Sequence, residues 1–597
     1  MKSLIWLLER VLQDCSTSCN TSTTRDLLLV SRRVKHEGLS FLTITLGDFA
    51  SDFERSLELG HIEPKFFLSF KKNGLIPKFL SGIVRLVFDG DGKLLNEPNI
   101  TAIFYVRQIC RMWKKIELPC SEERNLAAIN GYIKVEQDLS MLNFADENQD
   151  HFYDFGKISD IIWSDVLASV EKSIAAFHHI PKHGPGATAT KVLPNQKYSW
   201  KQWHERLEPY FPSDSFCYSS SEIFLEESSK IDFVIPEREQ PVRVVFVPKT
   251  LKTPRVIGIE PVCMQYTQQS LLSIIVPCLE KHHKTIGHVN FQKQSINAQL
   301  ALKSSHDGLL ATMDLSEASD RVLNALVERM LASVPLVRDA IQACRSTSAT
   351  LPTGQTIQLV KFASMGSALC FPIESMVFYT ILIAREIRRL RLPLKSRSID
   401  IVKKNVYVYG DDLILPVDGV LSATLGLQAL GLKVNSNKTF STGKFRESCG
   451  IQPNHREDVT TVFLRRLPPS GRRDVRSVVS LVAMSNLCVD KHMFHTAMGI
   501  KDLITKLGFD IPYANENAAY VGYKWGFPAT IHRRNDDLQR PEVKAFVLVP
   551  RKQRDQITGH SALMKWFLQG LNPDVTHYDQ SVGTGTLALK SRWSAVR

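Results

Sequence analysis

Val406-Tyr407-Val408-Tyr409-Gly410-Asp411-Asp412-Leu413-Ile414-Leu415-Pro416 sets two adjacent carboxylates between two short, β-rich apolar runs. That pattern predicts a tight hairpin carrying the paired acids at its tip. Neighbouring like charges repel, so water or a cation must screen them. Mg²⁺ is the natural cation, because it favours carboxylate oxygens together with substrate phosphates. Gly-Asp is also ordinary turn chemistry, and the motif by itself permits a plain solvated turn.

A second acidic segment lies upstream, Leu309-Leu310-Ala311-Thr312-Met313-Asp314-Leu315-Ser316-Glu317-Ala318-Ser319-Asp320. It reads as an apolar strand ending at Asp314. A helix should follow, capped by Ser316 or Ser319, with Val322, Leu323, Leu326 and Met330 on one face. An Asp past a strand end can be a helix cap or a metal ligand, and alone it reads as a cap. Asp314 and Asp411 lie 97 residues apart, each at the end of an expected strand. Neighbouring strands would bring both to one sheet edge. Two carboxylates there can bridge two Mg²⁺ ions about 3.5–4 Å apart, the arrangement used for in-line phosphoryl transfer.

Four further segments accompany this pair. Phe362-Ala363-Ser364-Met365-Gly366-Ser367-Ala368 is a small-residue loop entering a long helix. Gly366 permits close backbone approach, and Ser364 and Ser367 offer hydroxyls to a ribose or phosphate. A serine-capped helix is the plainer reading. Lys249, Lys252 and Arg255 lie on a loop stiffened by Pro248 and Pro254. They could neutralise a triphosphate or simply face solvent. Lys438, in Gly431-Leu432-Lys433-Val434-Asn435-Ser436-Asn437-Lys438, could protonate a leaving pyrophosphate or be a solvated lysine. Phe445-Arg446-Glu447-Ser448-Cys449-Gly450 is expected to add a strand or hairpin.

At 597 residues several subdomains are expected, and 44% hydrophobic with 23% charged residues is a globular composition. A net charge of +13 suits a polyanionic partner such as nucleic acid, or a generally basic surface. The last segment, 541–597, holds eight Lys and Arg against four Asp and Glu. Eleven irregularly spaced cysteines read as reduced, mostly buried thiols; Cys15 and Cys19 have no second pair to complete a zinc site. His178, His179 and His183 read as satisfied or surface residues. Leu4-Ile5-Trp6-Leu7-Leu8 reads as an amphipathic helix, too short for a signal core. Ala368 to Ala384 carries Pro372 and Glu374 and reads as a buried helix rather than a membrane span. Ile83-Val84-Arg85-Leu86-Val87-Phe88 is expected to be a strand entering a hairpin turn at Asp89-Gly90-Asp91-Gly92. Neither a Gly-x-x-x-x-Gly-Lys-Ser/Thr loop nor a Gly-x-Ser-x-Gly elbow occurs, which excludes those ATPase and serine-hydrolase chemistries.

The order of the basic loop, Asp314…Asp320, Ser364-Met365-Gly366, Tyr409-Gly410-Asp411-Asp412, Lys438 and Phe445–Gly450 resembles the motif series of viral RNA-directed RNA polymerases. It is most similar to the replicase catalytic β subunit of the single-stranded RNA bacteriophages, the leviviruses. His183-Gly184-Pro185-Gly186 and Met313–Asp320 are among the most family-like phrases, and the resemblance covers about residues 180–465.

The resemblance implies an α+β right hand of fingers, palm and thumb, with an antiparallel palm sheet flanked by helices. Residues 1–180 would form an N-terminal region and part of the fingers. The fingers with a basic nucleotide-entry loop would take 181–305, the palm 306–460, and the thumb and basic tail 461–597. Asp314 and Asp411 would ligate two Mg²⁺ ions (Mn²⁺ is a second oxygen-seeking option), with Asp412 in support. Lys249, Lys252 and Arg255 would bind the triphosphate, and Lys438 would be the proton donor. Asp320 and Ser364 to Ser367, including Gly366, would sense the ribose 2′-hydroxyl. Where the family pattern has Asn, this chain has Ser367, a hydroxyl of shorter reach.

RNA template, product and NTPs would be the partners, together with host elongation factors Tu and Ts and an RNA-binding ribosomal protein. Synthesis would start without a primer, in the cytoplasm of an infected bacterium and with no membrane association. Trp566 and Trp593 could then stack on template or initiating nucleotide. A reverse transcriptase shares the Asp pair, but Gly410, the Asp320 spacing and the Ser-Met-Gly loop favour the RNA polymerase. A non-enzymatic RNA-binding protein would leave the three aspartates unexplained.

Overall fold

The computed structural model describes residues 1–144, 148–184, 186–550, 557–570 and 587–596. Helices and short, mostly antiparallel sheets are interleaved along the chain, as the α+β expectation has it. At the centre lies a three-stranded antiparallel sheet, with Asp412–Pro416 between Tyr407–Tyr409 and Leu310–Met313. These strands alternate or run apolar because both faces are covered: Val408, Leu413, Ile414, Leu415 and Ala311 are all buried. Just after Leu310–Met313 the chain forms a separate two-stranded sheet, Leu315–Ser316 pairing with Lys433–Val434, and a bridge joins Thr312 to Phe440.

The long helix Cys370–Arg389 packs on the central sheet and is buried along most of its length, including Glu374, as the run Ala368–Ala384 suggested. Among the described residues no helix is long and apolar enough to cross a membrane. A second sheet carries the hairpin Val242–Val247 and Arg255–Ile259, joined by the basic loop. The helix Glu122–Ser140 packs close to that hairpin.

Two large apolar cores hold the molecule together. One gathers residues from Val135 to Leu432 around the central sheet and the long helix. The other joins the first 116 residues, from Leu4 to Ile116, to Phe440, Phe445 and the helices Val475–Asp490 and Phe494–Lys506. The N-terminal helix Lys2–Cys19 turns Leu4, Leu7, Leu8, Val11, Leu12 and Cys15 into this second core, the amphipathic pattern expected of it. All eleven cysteines are unpaired.

Three expectations need correction. Ile83–Phe88 is not a strand: Ser81–Val84 is a helical turn, and Phe88 N–H continues it to the Val84 carbonyl at 2.9 Å. Ile83, Val84, Val87 and Phe88 all bury, and that spacing defines one helix face. The turn at Asp89 does form, with Asp89 Oδ1 accepting from Asp91 and Lys93 N–H. The segment after Asp314 does not enter a helix directly either. It makes a 3₁₀ turn at Ser319–Arg321 before the helix Asn324–Met330, whose N-terminus has no side-chain cap. Ser319 is drawn off instead to Glu374, to whose Oε2 it donates at 2.5 Å. Finally, His183 is neither satisfied nor on the surface: it is buried among Tyr198, Trp200 and Tyr266, and burial pushes its imidazole down to about 3. Its neighbour Pro185 lies outside the described residues.

Candidate active site

The hairpin Tyr407–Pro416 turns in two residues, Gly410 and Asp411, with Tyr409 paired to Asp412. Gly410 sits at φ +58°, the left-handed conformation that this tight turn requires at its first central position. The turn sets Asp411 at the exposed tip and leaves Asp412 half-buried on the strand. Leu413 pairs with Met313, so Asp412 and Asp314, each the next residue along, lie at the same end of adjacent strands. Strand pairing therefore collects three carboxylates at one sheet edge.

Asp314 is held from the opposite side. Asn435 donates its backbone N–H to the Asp314 carbonyl and its Nδ2 to Asp314 Oδ2, both at 2.9 Å. Lys438 Nζ lies 3.2 Å from the same Oδ2. Burial raises the Asp314 carboxyl above the usual range; Lys438 opposes this and Asp411 adds to it. Asp412 accepts from Cys449 N–H at 3.1 Å, yet burial and then Asp411 push it up to about 7. Burial works against the Lys438 charge, but Glu447 and Asp314 outweigh it and hold the ammonium above the ordinary lysine range. Asp411 makes no hydrogen bond or ion pair among the described residues.

The other expected residues divide. On the basic loop, Lys249 feels the aspartates: desolvation, Arg255 and Lys438 hold it below the usual lysine range, while Asp314 and Asp411 pull the other way. Arg255 opens the second strand of the hairpin, its side chain exposed. Lys252 turns elsewhere and lies 3.4 Å from Asp48. Ser364 is buried and shares a 2.6 Å hydrogen bond with the Tyr132 hydroxyl. Ser367 donates to Gln268 Oε1 at 3.1 Å. Gly366 lies at φ +127°, where a Cβ would stand 2.1 Å from the Gly258 carbonyl oxygen, so the loop docks on the basic hairpin backbone to backbone. Asp320 is ion-paired with buried Lys361 at 2.8 Å.

Sequence reasoning did not single out Asn435, Glu374, Glu447 or Lys361. Asn435 and Glu447 lie in segments that had been noticed, but an amide beside a strand and a carboxylate in a hairpin carry no signal until the strands are paired. Glu374 is a charge within the apolar run that reads as a buried helix. Burial lifts it to about 8, with the Ser319 hydrogen bond opposing and Asp411 and Asp320 adding.

Residues 223–486 match the RNA replicase, beta-chain family. The matched segment contains the central sheet, the basic hairpin and every residue of the acidic cluster. RNA-directed RNA polymerase subunit beta of Qbeta virus (strain MX1) is 36% identical over 223 residues, 37% of this chain and 35% of that protein. The corresponding subunit of Escherichia virus Qbeta is 33% identical over 241 residues, 40% of this chain and 38% of that one. RNA-directed RNA polymerase beta chain of Escherichia phage MS2 is 33% identical over 223 residues, 37% of each. The replicase match thus spans little more than a third of these relatives' length. Similar solved structures include the BmCPV RNA-dependent RNA polymerase at elongation state, with TM-score 0.36, 12% identity and coverage of 63% of this chain and 36% of that one. A human picobirnavirus RNA-dependent RNA polymerase mutant gives TM-score 0.32, 11% identity and coverage of 64% and 84%.

The donor chemistry of the acidic cluster fits a divalent cation. Three carboxylates converge, with two of them raised by burial and by Asp411, and Asp411 itself without a hydrogen-bond or ion-pair partner among the described residues. An all-oxygen set of this kind suits Mg²⁺ or Mn²⁺. Among the described residues, the one triad whose ligand atoms lie within 4.8 Å of one another is Asp165, His282 and His283, and the three aspartates are spread more widely. The Asp165 triad is already served by Lys284, whose Nζ lies 3.0 Å from Asp165.

Proposed function

We propose that this chain is an RNA-directed RNA polymerase that joins NTPs on an RNA template, replicating and transcribing a viral genome without a primer. The observation that carries this reading is the convergence of Asp314, Asp411 and Asp412 on paired strands inside a region that matches the replicase beta-chain. In this reading the palm spans 306–460, the fingers 181–305, with part of them in 1–180, and the thumb 461–597.

Asp314 and Asp411 would hold two Mg²⁺ (or Mn²⁺) ions, with Asp412 in support. Bound there, they would lower the pKa of the attacking 3′-hydroxyl and stabilise the pyrophosphate leaving group. Lys249 and Arg255 face the same electrostatic field and would receive the triphosphate, with Lys252 at the rim of the loop. Lys438, kept protonated beside Asp314, would give its Nζ proton to the departing pyrophosphate. Asp320, Ser364, Gly366 and Ser367 would form the ribose side of the pocket. Elongation factors Tu and Ts, a host RNA-binding ribosomal protein and the bacterial cytoplasm complete the proposal by family resemblance.

The test is RNA synthesis by the purified chain, with and without those host proteins, on an RNA template with Mg²⁺. Ribonucleotide incorporation should fall at least ~10²-fold in Asp411→Asn. Preferential use of deoxyribonucleotides would replace this reading with a reverse transcriptase. RNA binding without synthesis under every condition would replace it with a binding protein.

A further inference from the structure

We propose that Tyr132 and Lys361 are positioning residues for ribose selection, holding Asp320 and Ser364 in one register; the inference rests on the polymerase reading above. Asp320 and Ser364 belong to different segments, and backbone bonds fasten the two together. Phe362 N–H donates to the Val322 carbonyl at 2.7 Å and Asn324 N–H to the Val360 carbonyl at 3.1 Å.

Lys361 forms the hub. Its side chain is fully buried, and its Nζ lies 2.8 Å from Asp320 Oδ1, 3.3 Å from Glu136 Oε1 and 3.4 Å from the centre of the Tyr132 ring. The Tyr132 hydroxyl reaches on to Ser364 Oγ at 2.6 Å. One ammonium between two carboxylates leaves a net negative charge. The second oxygen of Asp320 has no hydrogen-bond partner among the described residues and its side chain is 20% exposed, so it can accept from a hydroxyl. Either hydroxyl can donate in that bond; with Tyr132 donating, the serine hydrogen is left for a second acceptor.

A buried ion cluster contributes little net stability, because desolvation cancels much of its attraction. What it provides here is a fixed spacing between an acceptor and a hydroxyl on two separate loops. Tyr132 and Glu136 come from the helix Glu122–Ser140, outside the segment that matches the replicase family, so selectivity is built partly by the N-terminal region.

The experiment measures kcat/KM for a ribonucleotide and its 2′-deoxy analogue, on an RNA template with Mg²⁺, in the full chain with its host proteins. Tyr132→Phe should lower the ribo-to-deoxy ratio ~5-fold, the loss of one hydrogen bond. The change should appear in the ribonucleotide KM, with kcat moving less than about twofold. Lys361→Met should lower the ratio ~10-fold or more. Tyr132→Phe should add no further loss in a Ser364→Ala background, which a merely structural role would not produce. If Lys361→Met fails to fold, Tyr132→Phe and the double variant decide. Should Asp320→Ala reduce the ratio while Tyr132→Phe and Lys361→Met leave it unchanged, the positioning role is overturned and the ribose-sensing role stands. An unchanged ratio in Asp320→Ala would remove the ribose-sensing role itself, and this inference with it.

Discussion

Gly410 is the residue on which the acidic hairpin depends. A side chain there would be strained at φ +58° and would meet Phe371 Cε2 at 2.1 Å. Phe371 itself packs edge-on against Tyr409 and Phe291. Gly410→Ala is expected to cost about 1–3 kcal/mol of local strain and to displace Asp411, lowering synthesis at least ~10-fold with the chain still folded by circular dichroism. Glu374 gives a pH-dependent counterpart. Its carboxyl is raised from 4.5 to about 8, so the folded chain binds this proton more tightly than the unfolded one. The stability tied to it is complete below about pH 4.5 and is lost as the pH rises towards 8. Glu374→Gln cannot ionise and keeps an acceptor for Ser319. Its melting temperature should exceed the parent's at pH 8.5 and match it within about 1 °C at pH 5; equal curves at both pH values would show that Glu374 does not hold its proton.

At the scale of elements, the loop that carries Lys438 towards Phe445 is fastened by one carboxylate on the helix Leu46–Leu59. Glu58 accepts from Ser441 N–H at 2.6 Å, Thr442 N–H at 2.7 Å, the Thr442 hydroxyl at 2.9 Å and Gly443 N–H at 3.1 Å. Glu58→Ala strands three backbone donors, at a cost of about 2–4 kcal/mol. Hydrogen exchange at 441–443 should accelerate at least ~10-fold, and unchanged protection would show that other contacts suffice. Legibility follows the same lines. The hairpin at Gly410 and the helix Cys370–Arg389 were readable because each is specified by a local pattern, a two-residue turn and a long apolar run. Ile83–Phe88 misled because a six-residue apolar run fits a strand or a buried helical turn equally well. Tyr132 and Ser364, 232 residues apart, meet only through tertiary packing, and so do Lys361 and Glu136. No spacing in the sequence encodes such a meeting.

The whole molecule is closed by contacts between distant parts of the chain. The second core is shared between the first 116 residues and segments after Phe440, and the buried Arg107 spans it, donating to Glu54 at 2.8 Å and to Gln452 at 2.6 Å. Burial opposes ionisation of Glu54, but Arg111 and Arg107 outweigh it and hold the carboxyl down to about 2. Removing residues 1–116 would expose the other half of that core. The remaining 117–597 are expected to aggregate or to bind a hydrophobic dye where the full chain does neither; a soluble, cooperatively melting fragment would contradict this.

The contact between Asp14 and Thr496 has a consequence in time. Asp14 accepts from His495 N–H, Thr496 N–H and the Thr496 hydroxyl at 2.6–2.9 Å, yet Thr496 lies 482 residues later in the chain. At elongation rates of about 5–20 residues per second, roughly 25–100 s separate the synthesis of the two partners. During that interval the first helix can pack on Thr24–Glu37 and Ile100–Arg111, but the part of it that Phe494–Lys506 covers stays open. Ribosome-bound chains shorter than about 500 residues must therefore keep that part of the first helix shielded by something else, and any pause in translation lengthens that exposure.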